Sequence, residues 1–204
     1  MKVEYWFDPI CPFCWMTSRW INRVAPARDL EIEWRPISLL FKNGMGEDHP
    51  FYAKASRTRN LLRVVESLRA AGHGDRIGEL YTALGTRIHL RGEIEFDVAA
   101  VLTEVGLDPS HAAALDDESF DDAIRSAMAD GLARTGTDVG TPIIAIDGAT
   151  GRVGMFGPVI TVLPAADAAL RLWDGFVAMA ETDGFYELKR TRTVSPDMST
   201  IPSD

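Results

Sequence analysis

The two cysteines of this 204-residue chain, Cys11 and Cys14, are separated by only two residues. A cysteine thiolate attacks disulfides, and two thiols this close together can form and break a disulfide with each other. A hydrophobic run from Val3 to Phe7 leads into the pair, and a stretch with helical character from Trp15 to Val24 follows it. This arrangement predicts a redox-active Cys-x-x-Cys pair at the junction between a strand and a helix.

The start of the helix gives the two cysteines different expected roles. Cys11 would face unpaired backbone N–H groups and the positive end of the helix dipole, which both favour the thiolate. We therefore expect the pKa of Cys11 to fall below the ~8.5 of a free cysteine, so that Cys11 attacks and the more buried Cys14 resolves. Asp8 could tune the pKa of Cys11 or move a proton to Cys14, or it could serve only as a loop acid that complements the dipole.

The composition disfavours other uses of paired cysteines. A structural zinc site takes about four ligands, and the histidines are scattered along the chain without ligand spacing, so we expect no metal site. The N-terminus lacks the basic and apolar pattern of a signal peptide, which predicts a cytoplasmic protein. In that reducing compartment a structural disulfide is disfavoured. The histidines are His49, His73, His89 and His111.

Charge and hydropathy argue against two further classes of protein. The net charge is −9 and the pI is about 4.9, whereas binding to nucleic acid or to anionic membranes requires basic surfaces. No apolar run approaches the ~20 residues of a transmembrane helix. We therefore expect neither nucleic acid nor a membrane as a partner.

Hydrophobic periodicity predicts elements that would position the cysteines. Residues 2–7, 12–28 and 30–40 indicate a strand, a helix and a second strand, and such a βαβ unit has parallel strands. Amphipathic helical stretches fill the following residues 43–136, with Asp75 as a predicted N-cap and no convincing strand. This part of the chain is therefore predicted to be a helical subdomain.

Strand signals return after the helical stretches. Residues 143–146 and 152–156 are apolar runs, and Asp147-Gly148 and Gly151 between them indicate a hairpin. A last amphipathic helix follows, and the polar tail from about Val194 is expected to be loosely ordered. The predicted order is βαβ, helical block, ββα.

The pair Thr141-Pro142 directly precedes the third predicted strand. Proline cannot donate to a strand ladder, so it belongs at the start or the edge of a strand. A cis bond before Pro142 would make a tight turn and bring the Thr141 backbone beside the cysteines, where its N–H and C=O could pair with an extended substrate. An ordinary trans proline that opens the strand is the alternative at this point.

These pieces together resemble the thioredoxin superfamily, and within it the DsbA-like proteins that carry a helical insertion. The resemblance implies an α/β, thioredoxin-like fold with an inserted all-helical subdomain. Its main domain would be discontinuous, residues 1–42 and 137–204, and the insertion would span residues 43–136. It further implies a cis Pro142. The residues expected to contact the substrate are Pro12, Phe13, Thr141 and Pro142.

Further segments carry a closer resemblance: Trp6-Phe7-Asp8-Pro9, Cys14-Trp15, Ser18-Arg19-Trp20, Gly140-Thr141-Pro142, Phe156-Gly157-Pro158 and Phe185-Tyr186-Glu187-Leu188-Lys189-Arg190-Thr191-Arg192. They resemble the cytosolic, mycothiol-dependent DsbA-like reductases of actinobacteria. This implies reduction of disulfides or small electrophiles, with the low-molecular-weight thiol mycothiol as electron donor and no tightly bound cofactor. Many of those relatives have Trp where this chain has Phe13. Phenylalanine keeps an aromatic wall at this position but lacks the indole N–H donor of Trp.

Three further candidates for substrate contact, and one basic segment, are less specific. Asn43 and Tyr52 follow the second strand and could line the rim of a cleft, Asn by reading amide or hydroxyl groups and Tyr by stacking or donating, or they could be structural. His89 could line the cleft as a proton donor, or be a capping or surface residue. The basic run Lys189–Arg192 could attract an anionic thiol or be a solvated end of the chain.

The leading interpretation is a thiol–disulfide oxidoreductase that works as a mycothiol-dependent reductase, either as a monomer or as a homodimer. A protein-disulfide oxidase or isomerase would use the same chemistry with electrons flowing in other directions. Kappa-class glutathione transferases and hydroxychromene-carboxylate isomerases resemble the fold but typically have Ser at the position of Cys11. A non-catalytic binding module on this fold would usually have lost one of the cysteines.

Overall fold

A computed structural model describes residues 1–148 and 151–202 of the chain. The predicted turn of the hairpin includes residues 149–150 and the predicted tail includes residues 203–204, and both pairs lie outside the described residues. The strands are β1 (Lys2–Phe7), β2 (Glu31–Pro36), β3 (Ile143–Gly148) and β4 (Gly151–Phe156). The α-helices are α1 (Pro12–Arg28), α2 (Leu39–Lys42), α3 (Tyr52–Ala70), α4 (Ile77–Gly85), α5 (Val98–Glu104), α6 (Asp121–Thr135) and α7 (Ala166–Ala180).

The four strands form one sheet in the order β2-β1-β3-β4. The β1 and β2 strands are parallel, as the βαβ pattern predicts, and β3 pairs antiparallel with both β1 and β4. Because β1 lies between two other strands and is covered on both faces, residues 3–7 are buried without a break. This burial explains the nearly continuous apolar run that leads into the cysteines.

The two faces of the sheet are covered by different helices. Tyr5 and Phe7 of β1 belong to the main core together with α1 and α7, whereas Trp6 belongs to a smaller cluster with Ile143 and with residues of α6. The indole N–H of Trp6 donates to the carbonyl of Ala127 in α6 at 2.7 Å. The side-chain alternation of β1 thus places the sheet between two helical layers.

The helical block lies between β2 and β3, and residues 43–136, which are all described, contain helices and no strand. The predicted fold class, an α/β thioredoxin-like fold with an inserted helical subdomain, is confirmed. Buried residues of α3 and α4, such as Leu62 and Tyr81, belong to the same hydrophobic cluster as Tyr5 and Trp34 of the sheet. The block therefore adds to the main core.

The second strand is shorter than residues 30–40, and that prediction is wrong at its end. The β2 strand stops at Pro36, which has no N–H to continue a ladder. Ser38 then caps α2, because its hydroxyl accepts a hydrogen bond from the Phe41 N–H at 3.4 Å. Leu39 and Leu40, which the prediction assigned to the strand, thus belong to a short helix.

The predicted N-cap at Asp75 is also wrong. A 3₁₀ turn covers Gly74–Arg76, and α4 continues from it at Ile77. The chain has already begun to turn before Asp75, so this residue lies inside the turn and cannot cap the helix. Beyond α4 the residues Thr86–Leu90 form a π-helical turn, which carries His89 toward the cysteines.

The C-terminal tail is held more firmly than its composition predicts. Asp197 donates its N–H to the carbonyl of Thr161 at 2.7 Å, and the Thr200 hydroxyl accepts from the Leu163 N–H at 3.0 Å. Residues between α7 and this anchor lead back across the molecule without forming a helix or strand.

Candidate active site

Cys11 occupies the N-cap position of α1. Its backbone is extended, Pro12 follows at the first helical position, and the Cys14 N–H donates to the Cys11 sulfur at 3.4 Å. Proline suits this position because its missing N–H would have no partner in the first turn of a helix. Cys11 keeps 9% of its surface exposed and Cys14 keeps none. Both cysteines are free thiols, stacked one turn apart along α1.

The expectation that the pKa of Cys11 falls below its ordinary value is wrong for this reduced state. Burial raises the pKa of Cys11, and the hydrogen bonds from Thr141, Cys14 and Phe13, which favour the thiolate, only partly offset the burial. The negative charge of Asp8 raises the pKa further. The effect of burial on the pKa of Cys11 exceeds that of the helix N-terminus because the sulfur is almost enclosed by the protein. At the start of a solvent-exposed helix the thiolate would keep its contact with water.

Cys14 lies in a drier place than Cys11. Its sulfur is 3.6 Å from the Tyr5 hydroxyl and 3.7 Å from the Trp6 carbonyl oxygen. Burial is the largest cause that raises the pKa of Cys14, and the neighbouring charge of Cys11 adds to it. The two sulfurs therefore differ in access, because an incoming molecule meets Cys11 first.

The loop before β3 forms the opposite wall. The Thr141–Pro142 peptide bond is cis, and the carbonyl of Thr141 accepts the Cys11 S–H at 3.9 Å. A second cis bond, Gly157–Pro158, lies beside it, since the Gly157 N–H donates to the Pro142 carbonyl at 2.8 Å. The Pro158 carbonyl in turn accepts from the Thr17 hydroxyl of α1 at 2.8 Å. These bonds tie both proline loops to the helix that carries the cysteines.

Asp8 lies in the loop between β1 and α1, and its side chain is fully buried. One carboxylate oxygen accepts from the Ile10 N–H at 3.0 Å, and the other accepts from the Leu39 N–H at 2.7 Å. Burial raises the pKa of Asp8 to about 6, although these bonds and the Thr58 hydroxyl lower it. Asp8 thus joins the loop before Cys11 to α2 and, through Thr58, to α3 of the helical block.

His89 lies beside the same loop. Its Nε2 is 2.8 Å from the Pro9 carbonyl oxygen, and its ring stacks on Trp15 with centroids 5.9 Å apart. Burial lowers the pKa of His89 to about 4, so at neutral pH the ring is uncharged and donates its Nε2 proton to Pro9. A cavity of about 230 Å³ opens between His89, Pro12 and Lys54. His89 is therefore a cavity wall rather than an imidazolium acid.

Tyr52 and Asn43 lie away from that cavity. Asn43 is exposed at the C-terminal end of α2. Tyr52 begins α3 and lines a second cavity, of about 330 Å³, together with Phe41, Arg59 and Arg125. Neither of these two predicted site residues lines the cavity between Pro12 and His89.

The C-terminal basic run does reach the cysteine motif. The guanidinium carbon of Arg192 lies 4.2 Å from the centroid of the Phe13 ring, a cation–π contact. Phe13 is itself only half-buried, between Cys11 and Cys14 in the chain. The sequence left open whether this run is a solvated end, and the structure brings its last arginine to the motif.

Comparisons with known proteins give a consistent result. Residues 10–190 match the Rv2466c-like family, described as mycothiol-dependent nitroreductase Rv2466c. The chain belongs to this family. It is also 34% identical over 196 residues to the uncharacterized protein Rv2286c of Mycobacterium tuberculosis, a match that covers 94% of this chain and 82% of that protein.

Solved structures share the fold. The cytosolic disulfide reductase DsbM of Pseudomonas aeruginosa superposes with a TM-score of 0.59 at 14% identity, covering 88% of this chain and 100% of that one. A probable DsbA oxidoreductase of Streptomyces coelicolor superposes at 0.54 with 17% identity, covering 95% and 94% of the two chains. Family and fold together make this member a DsbA-like thiol–disulfide oxidoreductase.

Two negative findings concern the described residues. Within residues 1–148 and 151–202, no three His, Cys, Asp or Glu side chains come together as a metal site would need. In the same part of the chain, no helix combines the length and the apolar character that a membrane crossing requires.

Sequence reasoning missed several residues around the two sulfurs. Pro158 entered only as part of a resemblance, although a Gly-Pro pair after a strand is a visible turn signal. Tyr5 was simply part of a buried strand. The Tyr81 hydroxyl also lowers the pKa of Cys14, and no local signal in the sequence connects this residue with Cys14.

Proposed function

We propose that this chain is a mycothiol-dependent reductase of disulfides and small electrophiles, in which Cys11 attacks and Cys14 resolves. The observation that carries the proposal is the order of the sulfurs: Cys11 lies at the helix start against the Thr141 carbonyl and keeps some exposure, and Cys14 lies behind it with none. Membership in a family described as mycothiol-dependent nitroreductase supports both the thiol and the substrate class.

The reductive half-reaction on a disulfide proceeds in two exchanges. The Cys11 thiolate attacks one substrate sulfur, the substrate S–S bond breaks, and the first thiol leaves while the other half stays on Cys11. Cys14 then attacks the Cys11 sulfur, which releases the second thiol and leaves the Cys11–Cys14 disulfide. The substrate gains two electrons, and the cysteine pair loses them.

Mycothiol restores the dithiol by the reverse chemistry. One mycothiol thiolate attacks Cys11 and forms a mixed disulfide, and a second mycothiol releases it as mycothiol disulfide, which returns two electrons to the pair. An organic nitro group could take the same two electrons, giving a nitroso group, water and the Cys11–Cys14 disulfide. No tightly bound cofactor is needed for either substrate class.

The thiol is proposed to bind in the cavity between Pro12 and His89. Pro12 adjoins Cys11 in the chain, and the neutral His89 ring, Lys54 and Glu93 also line the cavity, so the cavity favours a polar group that can form hydrogen bonds. Phe13 with Arg192 above it, and the cis Thr141–Pro142 loop, would border the substrate on other sides. Asn43 and Tyr52 remain predicted substrate contacts, at a distance from this cavity.

The alternatives differ in the direction of electrons or in the residue at position 11. An oxidase or isomerase would use the same pair, and the proposed cytoplasmic location argues for reduction because that compartment keeps thiols reduced. A transferase or isomerase of the kappa class is disfavoured by the cysteine at position 11, where those enzymes typically have Ser. Either a monomer or a homodimer is compatible with this chemistry.

The proposal predicts opposite outcomes for the two cysteine variants. Cys11→Ser should lose mycothiol-dependent reduction of disulfides and of nitroaromatic probes to background, whereas Cys14→Ser should accumulate a mixed disulfide with mycothiol on Cys11, visible by mass spectrometry of the intact protein. Full activity in the Cys11→Ser variant would instead favour the transferase-like alternative.

The reduction potential tests the direction of electron flow. A reductase should equilibrate near the ~−270 mV typical of thioredoxin, and a value near the ~−120 mV of a strong periplasmic oxidant would contradict the proposal. Equilibration against glutathione or mycothiol redox buffers, read by alkylation of the free thiols, provides the measurement.

A further inference from the structure

Two phenol groups converge on the buried sulfur of Cys14. Tyr5 comes from β1, and its hydroxyl oxygen is 3.6 Å from the Cys14 sulfur. Tyr81 comes from α4, within the inserted helical block. Its ring packs on Phe7 and on Trp15, the residue after Cys14, and its hydroxyl lowers the pKa of Cys14. Neither tyrosine has any exposed surface. The resolving cysteine of the proposed reaction thus faces hydroxyl groups instead of water.

When Cys14 is a thiol, the hydroxyl proton of Tyr5 is already engaged in a hydrogen bond. Its hydroxyl donates to the Cys14 backbone carbonyl at 2.7 Å and accepts the S–H of Cys14 in return. This arrangement suits a neutral thiol. To donate to a Cys14 thiolate, Tyr5 would have to turn its proton away from the carbonyl oxygen.

Tyr81 differs because its proton has no competing acceptor. In the part of the chain that the structure describes, its buried hydroxyl makes no hydrogen bond of ordinary length and angle. Aromatic rings hold the Tyr81 ring in place, with centroids 4.1 Å away at Phe7, 5.5 Å at Trp15 and 5.6 Å at Trp34. An unpaired buried hydroxyl is costly, so its position calls for an explanation.

The electrostatics around Tyr81 favour donation toward Cys14. The Tyr81 hydroxyl lowers the pKa of Cys14, against the much larger effect of burial. Burial raises the pKa of Tyr81 well above its ordinary value, so the phenol keeps its proton and acts as a donor. The positive charge of Arg19, whose guanidinium lies 3.9 Å from the Trp15 ring, acts in the opposite direction on this pKa and polarises the O–H bond. A donor that is fixed in place before charge develops stabilises that charge without reorganisation.

We propose that Tyr81 is a catalytic residue of the resolving step, its hydroxyl donating to the Cys14 thiolate as that thiolate attacks Cys11. The Cys14–Cys11 bond forms, the bond from Cys11 to the bound thiol breaks, and the electron pair leaves on the released thiolate. That thiolate takes up the proton that Cys14 lost, and Tyr81 keeps its own. The inference rests on the proposed function, because it concerns the second exchange of that reaction.

With Tyr81 as donor, the helical block takes part in the chemistry of the resolving step. Cys14 belongs to α1 of the thioredoxin-like domain, whereas Tyr81 belongs to the insertion. The insertion would then supply a donor to the reacting sulfur in addition to forming cavity walls such as His89. The thioredoxin-like half alone would retain both cysteines but lack this hydroxyl.

Tyr81→Phe tests the donor with minimal change of shape. The enzyme is loaded with one low-molecular-weight thiol on Cys11, and release of that thiol is followed by rapid acid quench and mass spectrometry. Release should slow by about 10- to 100-fold, the range for loss of one hydrogen bond to a charged group. The first attack by Cys11 should keep its wild-type rate, and Tyr186→Phe, at an 88% exposed tyrosine, should behave as wild type throughout.

The pH profile separates a donor from a packing role. In Tyr81→Phe the profile of the resolving step should move to higher pH, because the Cys14 thiolate loses its donor. An unchanged profile, an equal slowing of both exchanges, or release at the wild-type rate would overturn the proposal. A wild type that never forms the mixed disulfide on Cys11 would instead overturn the proposed function.

A second variant covers the case in which Tyr81→Phe does not fold. Incorporation of 3-fluorotyrosine at Tyr81 makes the phenol a stronger donor with almost no change in volume. Release of the thiol should then become faster at neutral pH, and a rate equal to that of the unmodified enzyme would contradict the assignment.

Discussion

Asp8 is a buried carboxylate in the loop before Cys11, and its backbone carbonyl accepts the Cys11 N–H at 3.0 Å. Its two carboxylate oxygens accept from the backbones of Ile10 and Leu39, so it holds the loop before Cys11 against the start of α2. Those two bonds do not compensate for the loss of water, and burial raises the pKa of Asp8 from its ordinary 3.8 to about 6. Its charge also raises the pKa of Cys11. Asp8 thus both fixes the loop before Cys11 and affects the pKa of the Cys11 thiol.

The pKa of Asp8 predicts a pH-dependent stability. Since the pKa of this acid is higher in the folded state, its contribution is fully present below the unfolded value near 3.8 and is lost as the pH rises through about 6. A shift of this size corresponds to about 3 kcal/mol of unfolding free energy. Asp8→Asn should lack this component, so the difference in stability between wild type and variant should change between about pH 4 and pH 7.

Urea unfolding across this pH range provides the measurement. Asp183→Asn, at an exposed acid, is the matched control and should run parallel to wild type. A constant difference between wild type and Asp8→Asn from pH 4 to pH 7 would show that Asp8 does not titrate in the folded protein.

At the scale of elements, α4 approaches α1 closely because Gly85 has no side chain at their contact. A Cβ atom at Gly85 would lie 2.2 Å from the Trp15 ring, far closer than non-bonded atoms approach. Trp15 follows Cys14 in the chain and contacts both Tyr81 and His89. The glycine therefore sets how closely the helical block approaches the helix of the cysteines.

Two Gly→Ala substitutions should have opposite effects on stability. In a helix Ala is ordinarily more stable than Gly by roughly 0.5–1 kcal/mol, and Gly175 of α7, with no atom within 4 Å of an added Cβ, should follow this rule. Gly85→Ala should instead destabilise the protein by about 1–3 kcal/mol, the cost of overpacking. Chemical denaturation of both variants makes the comparison, and a stabilised Gly85→Ala would refute the close packing.

At the scale of the whole molecule, we propose that residues 43–136 are an insertion in topology but not an independent folding unit. The main hydrophobic cluster runs through both parts, from Tyr5 and Trp34 of the sheet to Leu62 and Tyr81 of the block. The hydrogen bond from the Trp6 indole N–H to the Ala127 carbonyl also links the two parts. Separating the two parts would expose apolar surface on each, which favours cooperative unfolding.

The distribution of tryptophan allows a test of this cooperativity. All five tryptophans lie in residues 1–42 and 137–204, whereas the helical block contains none. Because Trp6, Trp15 and Trp34 contact residues of the block, tryptophan fluorescence reports on the thioredoxin-like part and on its interface with the block. Far-UV circular dichroism is weighted toward the helices of the block. The two thermal transitions should coincide in wild type and shift together in Gly85→Ala. Separate midpoints would mean that the block unfolds by itself.

The sequence by itself determined the features that depend on neighbours in the chain. The spacing of Cys11 and Cys14 along a helix, the buried strand before them and the proline at the first helical position follow from local geometry. The order of strands and helices along the chain and the helical character of residues 43–136 were predicted from periodicity and turn signals. The ends of β2 and the cap of α4 were not, because boundaries depend on weak local preferences.

Only the tertiary structure decided the acidity of Cys11 and the surroundings of Cys14. The local argument from the helix start favours a lowered pKa of Cys11, but desolvation by the enclosing chain outweighs it. Tyr81, which faces Cys14, lies 67 positions further along the chain and carries no local signal. Burial and long-range contacts arise where distant segments meet, so they are properties of the packed molecule and not of any one stretch of sequence.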